Sequence, residues 1–322
     1  MVTRLPLQGI TVIDLGQVYN GPYATFLMAM AGATVVKIEP PGGESLRRRT
    51  SVGGAALPFA MLNSNKSFVA LNLKTPRGRE LFLDLAAKAD VVVENFAPGV
   101  MDRLGVGYDH STRIIDRLMY ASGTGFGPKG TYADSPAMDL TVQAMSGIMM
   151  RNGVADGAPM KCGPAICDFS AGTHLYGAVV TALFDRERCG RGQKVEVAML
   201  ESVYATLSSN LGLWHHSKGK ASPRTGSRHG GLAEAPYNAY PTFDGYAAVL
   251  CVGERNWNAL LRAMGREELV GDPRFADLKN RVANMSEVDQ LVLDFTNART
   301  RNNVCEILRE YRIPCAPVRD LS

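Results

Sequence analysis

Hydrophobic runs alternate with amphipathic stretches along the first half of the chain. Short runs rich in Val, Ile and Leu are typical of buried strands, and segments with helical spacing follow them. The pattern predicts six strands, at residues 10–15, 34–39, 69–73, 91–95, 118–122 and 194–199. This alternation predicts an α/β fold with a doubly wound, mostly parallel, Rossmann-like sheet and helices on both faces.

Prolines, glycines and cap residues mark the helix boundaries. Pro22 suits the first turn of a helix that Gly32 ends, and Thr75 with Pro76 opens an amphipathic helix. A long apolar helix is predicted over about residues 170–188. These signals place helices between the predicted strands.

The composition changes near residue 222. Pro, Gly, Ser and Arg dominate residues 222–231, which predicts a linker. Beyond it, Asp244-Gly245 predicts a hairpin, and helices are predicted at about 255–265, 286–297 and 302–311. We therefore divide the chain into a large domain of residues 1–221 and a linker with a small α+β domain at residues 222–322.

Charge and cysteine spacing exclude several classes of protein. The formal net charge of +4 comes without dense basic runs, so we expect no nucleic-acid partner, and an anionic small molecule suits it. The six cysteines form no Cys-x-x-Cys pair and the five histidines no ligand spacing, so no metal site is predicted. The apolar stretch at residues 25–33 is too short for a bilayer, which predicts a soluble, cytoplasmic protein without a membrane partner.

The loops after the predicted strands are the expected ligand site of a doubly wound sheet. Neither Gly-x-Gly-x-x-Gly nor a Walker motif occurs there, so no nicotinamide cofactor is predicted. Lys74, Arg77, Arg103 and Lys129 are cations near these loops. Such cations can hold phosphates while apolar and aromatic side chains hold an adenine or a pantetheine.

Asp168 is the candidate for covalent chemistry. It lies among small and apolar residues just before the long apolar helix, where the helix dipole favours a negative charge. We expect it to be ionised at neutral pH yet poorly solvated, as a nucleophilic carboxylate requires. From the spacing alone, a simple helix cap is the favoured interpretation, because Asp is a preferred cap residue.

An ordered set of motifs resembles the family III CoA-transferases, the group that includes formyl-CoA transferase and carnitine CoA-transferase. The resemblance runs from Leu5 to the chain end. Its motifs are Asp14-Leu15, residues 21–25, 36–43, 63–67, 71–75, 93–96, 98–99 and 190–195, and Ala235-Pro236-Tyr237.

The resemblance implies transfer of CoA from an acyl-CoA donor, with succinyl-CoA as a candidate, to a carboxylic acid. The family's nucleophilic aspartate matches Asp168, and a glycine loop over the acyl group would correspond to Gly230 and Gly231. CoA would be a substrate, with no metal or nicotinamide, and the subunits would interlock as a homodimer. The implied CoA contacts are Val18, Tyr19, Leu71, Lys74, Asn95, Phe96 and Arg103.

The sequence departs from its relatives at several positions. Ala137 and Asp139 stand where formyl-CoA transferase has a lysine and a tyrosine, and the glycine run at Gly230 is shorter, which disfavours formyl transfer to oxalate. Family members usually continue for several dozen residues beyond the position of Ser322, so the usual C-terminal return segment is absent.

Three alternatives stay open. An α-methylacyl-CoA racemase or epimerase shares this fold, but its His-Asp motif is Met138-Asp139 here, so a second base is missing. A non-catalytic CoA-binding subunit would follow if the absent segment were needed for activity. A nicotinamide oxidoreductase is disfavoured by the missing glycine fingerprint.

Overall fold

The computed structural model describes residues 4–49, 56–112 and 116–321. Packing divides the chain into two compact units, residues 1–147 with 161–205 and residues 148–160 with 206–322. This division differs from the predicted boundary at residue 221. Arginines explain part of the difference, because Arg151 donates to the Pro223 carbonyl and Arg224 donates to the carbonyls of Val154 and Gly157.

A six-stranded, fully parallel sheet forms the centre of the first unit. Its strand order is β3-β2-β1-β4-β5-β6, which confirms the predicted doubly wound α/β fold. The strands are β1 (Thr11–Asp14), β2 (Thr34–Glu39), β3 (Lys66–Ala70), β4 (Val91–Glu94), β5 (Met119–Thr124) and β6 (Lys194–Ala198).

The third strand lies three residues earlier than the apolar run predicted. Lys66 opens β3 although it is charged, because its ammonium reaches the buried carboxylate of Asp14. Sheet register then pairs Lys66 with Val35 and Ala70 with Glu39. A tertiary contact therefore sets this strand boundary.

Helices cover both faces of this sheet. One face packs α1 and α8 against Val12, Val91 and Met119, and the other buries Phe82 and Met101 against Ile13 and Val92. The helices to residue 204 are α1 (Asn20–Met30), α2 (Leu57–Asn63), α3 (Pro76–Ala86), α4 (Val100–Arg103), α5 (Tyr108–Thr112), α6 (Asp139–Ser146), α7 (Ile148–Arg151, in the second unit), α8 (Ile166–Cys189) and α9 (Met199–Tyr204), with a 3-10 turn at Ser45–Arg48.

The second unit is a three-stranded antiparallel sheet with helices. The predicted hairpin between β7 and β8 is present, but its two turn residues are Phe243 and Asp244, because Gly245 pairs with Thr242 as the first residue of β8. Strand β9 adds to β8. Trp257, Phe275 and Leu308 lie in its core. Its elements are α10 (Ser208–His216), β7 (Tyr237–Thr242), β8 (Gly245–Leu250), α11 (Glu254–Ala263), α12 (Leu278–Ala283), α13 (Met285–Asn297), α14 (Arg301–Glu310), β9 (Cys315–Pro317) and 3-10 turns at Ala205–Leu207 and Glu267–Leu269. None of the helices in the described ranges is both long and apolar enough to cross a bilayer.

A buried ion pair closes the carboxyl end of β1. Lys66 Nζ lies 2.9 Å from Asp14 Oδ2, and Lys37 Nζ lies 3.7 Å from the same oxygen. Lys66 also donates to Thr25 Oγ1 and Asn63 Oδ1, at 2.8 and 2.9 Å. Burial by itself would raise the pKa of Asp14. The charges of Lys37 and Lys66, and the hydrogen bonds that Lys66 and Thr25 donate to the carboxylate, bring the pKa below its ordinary value.

The same network shapes the loop after β1. Gly16 donates its N–H to Asp14 Oδ1, and its carbonyl accepts from Lys37 Nζ at 2.6 Å. Glu44 accepts the Val18 N–H at 2.7 Å, at a residue whose φ of 61° is unfavourable for a β-branched side chain. Ionic contacts therefore stabilise a loop conformation that Val18 would not adopt alone.

We expect Lys66→Met to lower the free energy of unfolding by about 3 kcal/mol, because it leaves the Asp14 carboxylate buried with only the more distant Lys37. Urea denaturation at pH 7 measures this loss. Arg77→Met is the matched control, since its pair with Glu80 is exposed and contributes under about 1 kcal/mol. Equal losses for both variants would contradict the assignment.

Candidate functional site

A cavity of about 340 Å³ opens at the carboxyl ends of β1, β4 and β5. The strand order reverses between β1 and β4, and ligands of doubly wound sheets bind at this switch point. The lining residues all belong to the first unit: Gln17, Val18, Asn20, Asn95, Phe96, Ala97, Pro98, Gly123, Thr124, Gly125, Ala133–Met138, Asp168 and Met199.

Asp168 is the acidic group that α8 brings to this cavity. The helix begins at Ile166, not near residue 170, and Ala165 is its N-cap residue. Asp168 therefore lies inside the first turn and is not the helix cap, with 7% of its surface exposed. A position in the first turn lies at the positive end of the helix dipole, which favours a negative charge there.

The N-terminus of α1 meets the Asp168 side chain. The backbone N–H of Asn20, the first residue of α1, lies close enough to the Asp168 carboxylate to favour its ionised form and lower its pKa. Gly172 allows this approach, because a Cβ at that position would lie 2.8 Å from the Asn20 carbonyl oxygen. Two helix N-termini thus face one carboxylate.

A second carboxylate, that of Asp139, binds the same turn of α8. Asp139 Oδ1 accepts the Cys167 N–H at 2.9 Å and, more weakly, the Asp168 N–H at 3.4 Å. Its Oδ2 accepts from Gln143 Nε2 at 2.6 Å. Asp139 therefore supplies acceptors for a helix end that lacks a side-chain cap of its own.

Burial, and then the negative charge of Asp139, raise the pKa of Asp168 to about 7, against the smaller opposing effect of the Asn20 N–H. The raised pKa contradicts the expectation that Asp168 is ionised at neutral pH by virtue of the helix dipole. Desolvation of a buried carboxylate outweighs the dipole here.

Five of the residues predicted to contact CoA border two cavities that share residues. Val18, Asn95 and Phe96 line the cavity of Asp168. Leu71 and Lys74 line a second cavity of about 160 Å³, to which Phe96 and Gln17 also belong. Shared walls place the two cavities side by side along the carboxyl edge of the sheet.

Tyr19 and Arg103 lie apart from both cavities. The Tyr19 ring stacks on Phe169 at 5.7 Å and lines an apolar groove with Tyr23 and Phe26. Arg103 ends α4 with an exposed side chain that extends over Gly99. The structure does not bring these two residues to the Asp168 carboxylate.

Gly230 and Gly231 belong to the second unit. Asn210 Nδ2 donates to the Gly230 carbonyl at 3.1 Å, and the Gly231 N–H donates to His229 Nδ1 at 3.3 Å. These contacts fix the loop within its own unit. The part of the two glycines in catalysis stays a prediction.

Gln17 and Asn20 lie in the loop after the first strand, one of the loops expected to bind a ligand, but sequence reasoning missed the contributions of Met199 and Asp139 to the site. One signal was available in Gly123-Thr124-Gly125, because a Cβ at Gly125 would collide with Ala137 and one at Gly123 would lie 3.0 Å from Asn20 Oδ1. These glycines allow close approach of the walls. Within the described part of the chain, no group of three or more His, Cys, Asp or Glu could hold a metal ion.

In comparisons with known proteins, the chain is similar to CoA-transferases and to a CAIB/BAIF family protein. The sequence model described as CoA-transferase family III matches residues 7–322. Acetyl-CoA:oxalate CoA-transferase of Acetobacter aceti is 37% identical over 98% of this chain and 82% of its own length. The beta subunit of succinyl-CoA–L-malate CoA-transferase of Chloroflexus aurantiacus is 36% identical over 99% of this chain and 80% of its own. The crystal structure of a CAIB/BAIF family protein from Brucella suis superposes with a TM-score of 0.85 at 32% identity, over 99% of this chain and 85% of that chain.

The raised pKa of Asp168 predicts a pH-dependent gain in stability for Asp168→Asn. The unfolded chain ionises near the ordinary pKa of 3.8 but the folded chain only near 7, so stability falls as the pH rises between these values. We expect the gain in unfolding free energy to be about 2 kcal/mol larger at pH 8 than at pH 5, as measured by urea denaturation.

Asp244→Asn is the control with the opposite sign. The Arg301 N–H lowers the pKa of Asp244, so its ionised form favours the folded chain above its ordinary pKa. This variant should lose stability at pH 8. A gain for Asp168→Asn that is the same at pH 5 and pH 8 would contradict the assigned pKa.

Proposed function

Because the chain belongs to the family III CoA-transferases, we propose that it moves CoA from an acyl-CoA donor to a carboxylic acid through a covalent intermediate on Asp168. The observation that carries this proposal is the Asp168 carboxylate, buried in the wall of the cavity at the switch point of the sheet. A poorly solvated carboxylate with a raised pKa is more basic, and therefore more nucleophilic, than an ordinary one.

The exchange proceeds through four acyl transfers. The Asp168 carboxylate attacks the donor thioester, which forms a mixed anhydride and releases CoA thiolate. The thiolate attacks the aspartyl carbonyl, which gives an aspartyl-CoA thioester and releases the donor acid as its carboxylate. The acceptor carboxylate attacks this thioester to form a second anhydride and thiolate, and the thiolate then attacks the acceptor acyl carbon. The products are a new acyl-CoA and the free Asp168 carboxylate.

This sequence of steps replaces one thioester with another, so the free energy of the thioester bond is retained. The tetrahedral oxyanions need hydrogen-bond donors. The N–H groups in the first turn of α8 already bond to Asp139, Pro164 and Ala165, so these donors are proposed to come from outside that turn. By resemblance to the family, we assign Gly230 and Gly231 to a glycine loop that closes over the reacting acyl group. Closure by that loop would exclude water, which otherwise hydrolyses an anhydride.

We assign CoA to the two adjoining cavities. Leu71 and Phe96 give apolar surface for the adenine, and Lys74 gives a cation for a phosphate. Val18 and Asn95 line the path toward Asp168, and Asn95 clamps the Gln17 backbone with hydrogen bonds of 2.7 and 2.9 Å. Tyr19 and Arg103 are retained as outer contacts by resemblance.

The donor is proposed to be a short acyl-CoA. The relatives named above use acetyl-CoA and succinyl-CoA by name, which supports succinyl-CoA as one candidate donor and a small carboxylic acid as acceptor. The homodimer implied by the family resemblance stays a prediction.

The racemase alternative has less support. Two-base racemisation needs a second acid or base across the α-carbon from Asp168. Met138 occupies the position of the racemase histidine, and no histidine occurs among the described residues that line the cavity. Incorporation of solvent deuterium into a branched acyl-CoA would favour this alternative.

We expect wild-type protein incubated with succinyl-CoA or acetyl-CoA, followed by hydroxylamine, to yield a hydroxamate at Asp168. Asp168→Asn should yield none and should lose acyl exchange by at least about 10³-fold, because the amide cannot attack the thioester. Peptide mass mapping locates the adduct. Asp185→Asn, an exposed carboxylate on the same helix, is the control and should keep both. Near-normal turnover by Asp168→Asn would refute the covalent scheme.

For the CoA site, we expect Lys74→Met to weaken CoA binding roughly tenfold, because a charge-assisted contact to phosphate is lost. Calorimetric titration with CoA at low ionic strength measures the change. Lys88→Met removes an exposed cation just beyond the other end of α3 and should bind CoA as wild type does. Equal weakening in both variants would indicate general electrostatic attraction and not a contact.

A further inference from the structure

Asp139 faces the nucleophile from another helix and belongs to a fixed hydrogen-bond network. It is the first residue of α6, and its two carboxylate oxygens have different partners. Oδ1 accepts N–H groups from the first turn of α8, at Cys167 and Asp168. Oδ2 accepts from Gln143, so the carboxylate cannot rotate without losing a contact.

Gln143 holds this carboxylate in place from the same helix. Its side chain is completely buried, and its Oε1 accepts the Cys162 N–H at 2.8 Å while its Nε2 donates to Asp139. Gln143 thus connects Asp139 to the segment that leads into α8. The network fixes both the approach to the helix and its first turn.

We propose that Asp139 is a positioning residue for Asp168 with two separable contributions, and this inference rests on the proposed function. Its Oδ1 fixes the first turn of α8 through backbone N–H groups, and its charge opposes a second negative charge on the nucleophile. A like charge beside a carboxylate favours the protonated, more basic form. Asp139 therefore tunes the nucleophile without touching the substrate.

The other groups around Asp168 leave Asp139 as the charge that acts on it. The α1 helix contributes the Asn20 N–H, which favours the ionised form, and α9 contributes the apolar Met199 to the cavity wall. On α8 itself, burial first and then Asp139 raise the pKa of the Cys167 thiol to about 12, so it is neutral. Asp134 lines the same cavity and Cys162 lies on the segment before α8, but neither contributes to the shift in the Asp168 pKa.

A more basic carboxylate attacks a carbonyl faster once ionised, but fewer molecules are ionised at a given pH. The Asp139 charge should therefore raise the limiting rate at high pH. It should also move the acidic limb of the pH–rate profile to higher pH. A purely structural residue would lower the rate without moving the limb. The position of the limb separates the two roles.

The test compares three variants with the wild-type chain. D139N removes the charge but keeps an Oδ1 acceptor for the Cys167 N–H, although its amide then faces the Gln143 Nε2. In D139N/Q143E, the carboxylate introduced at position 143 accepts from the amide introduced at position 139, so every hydrogen bond of the network again has a partner. The negative charge then lies on residue 143, one side chain further from Asp168. D139A removes both the charge and the acceptor.

The measurement is the rate of CoA release in a single turnover with succinyl-CoA or acetyl-CoA, from pH 5 to pH 9. We expect the wild-type limb near pH 7, and in D139N a limb lower by roughly half to one pH unit with a severalfold lower plateau. D139N/Q143E should also have its limb below the wild-type limb. D139A should lose more of the plateau than D139N, because α8 also loses its acceptor. D185N should match wild type.

A D139N limb at the wild-type pH, in a variant that still binds CoA, would overturn the charge contribution. A D139A plateau equal to that of D139N would overturn the positioning contribution. If wild type releases no CoA, the proposed function fails, and stability then tests the inference independently. In that case D139N and D168N should be coupled in unfolding free energy at pH 8 but not at pH 5, and additivity at both pH values would refute it.

Discussion

The ion pair between Asp14 and Lys66 is the constraint on which the site depends. It joins the end of β1 to the start of β3, and Lys37 joins it from β2. Charges buried this deeply are costly unless every partner is in place, so the network favours one loop conformation over others. That conformation places Val18 in the cavity wall and leads directly into α1.

The same constraint reaches Asp168 through the backbone. The loop after β1 ends at Asn20, whose N–H contacts the Asp168 carboxylate, while Gly172 lets α1 lie close enough for that contact. Opposing effects then act on the pKa of the Asp168 side chain. Burial and Asp139 disfavour the charge on Asp168, and the helix N-termini favour it. A fold that disfavours the ionised form of this carboxylate gives up stability there, which is the relation expected of an active site if Asp168 has the proposed role.

Local patterns predicted the architecture well, and the misplacements have physical causes. Strand β2 and the hairpin between β7 and β8 follow from alternation and turn chemistry, which act over a few residues. The predicted position of β3 was three residues too late, because the sequence pattern excludes a charged lysine from a buried strand. In the fold, Asp14, 52 positions away in sequence, neutralises the charge of Lys66. Helix α8 begins four residues early because Asp139, from α6, supplies the acceptor that no local residue provides. In both cases a distant partner overrides the local signal.

The sequence by itself determined the doubly wound sheet, the family, and Asp168 as the residue to examine, because periodicity and ordered motifs are properties of the chain. Only the tertiary structure decided the protonation of Asp168, since burial and the charge of Asp139 exist once α6 and α8 meet. It likewise placed Leu71 and Lys74 beside the cavity of Asp168 and left Tyr19 and Arg103 outside it. Electrostatic and steric effects depend on distance in space, and sequence separation does not encode that distance.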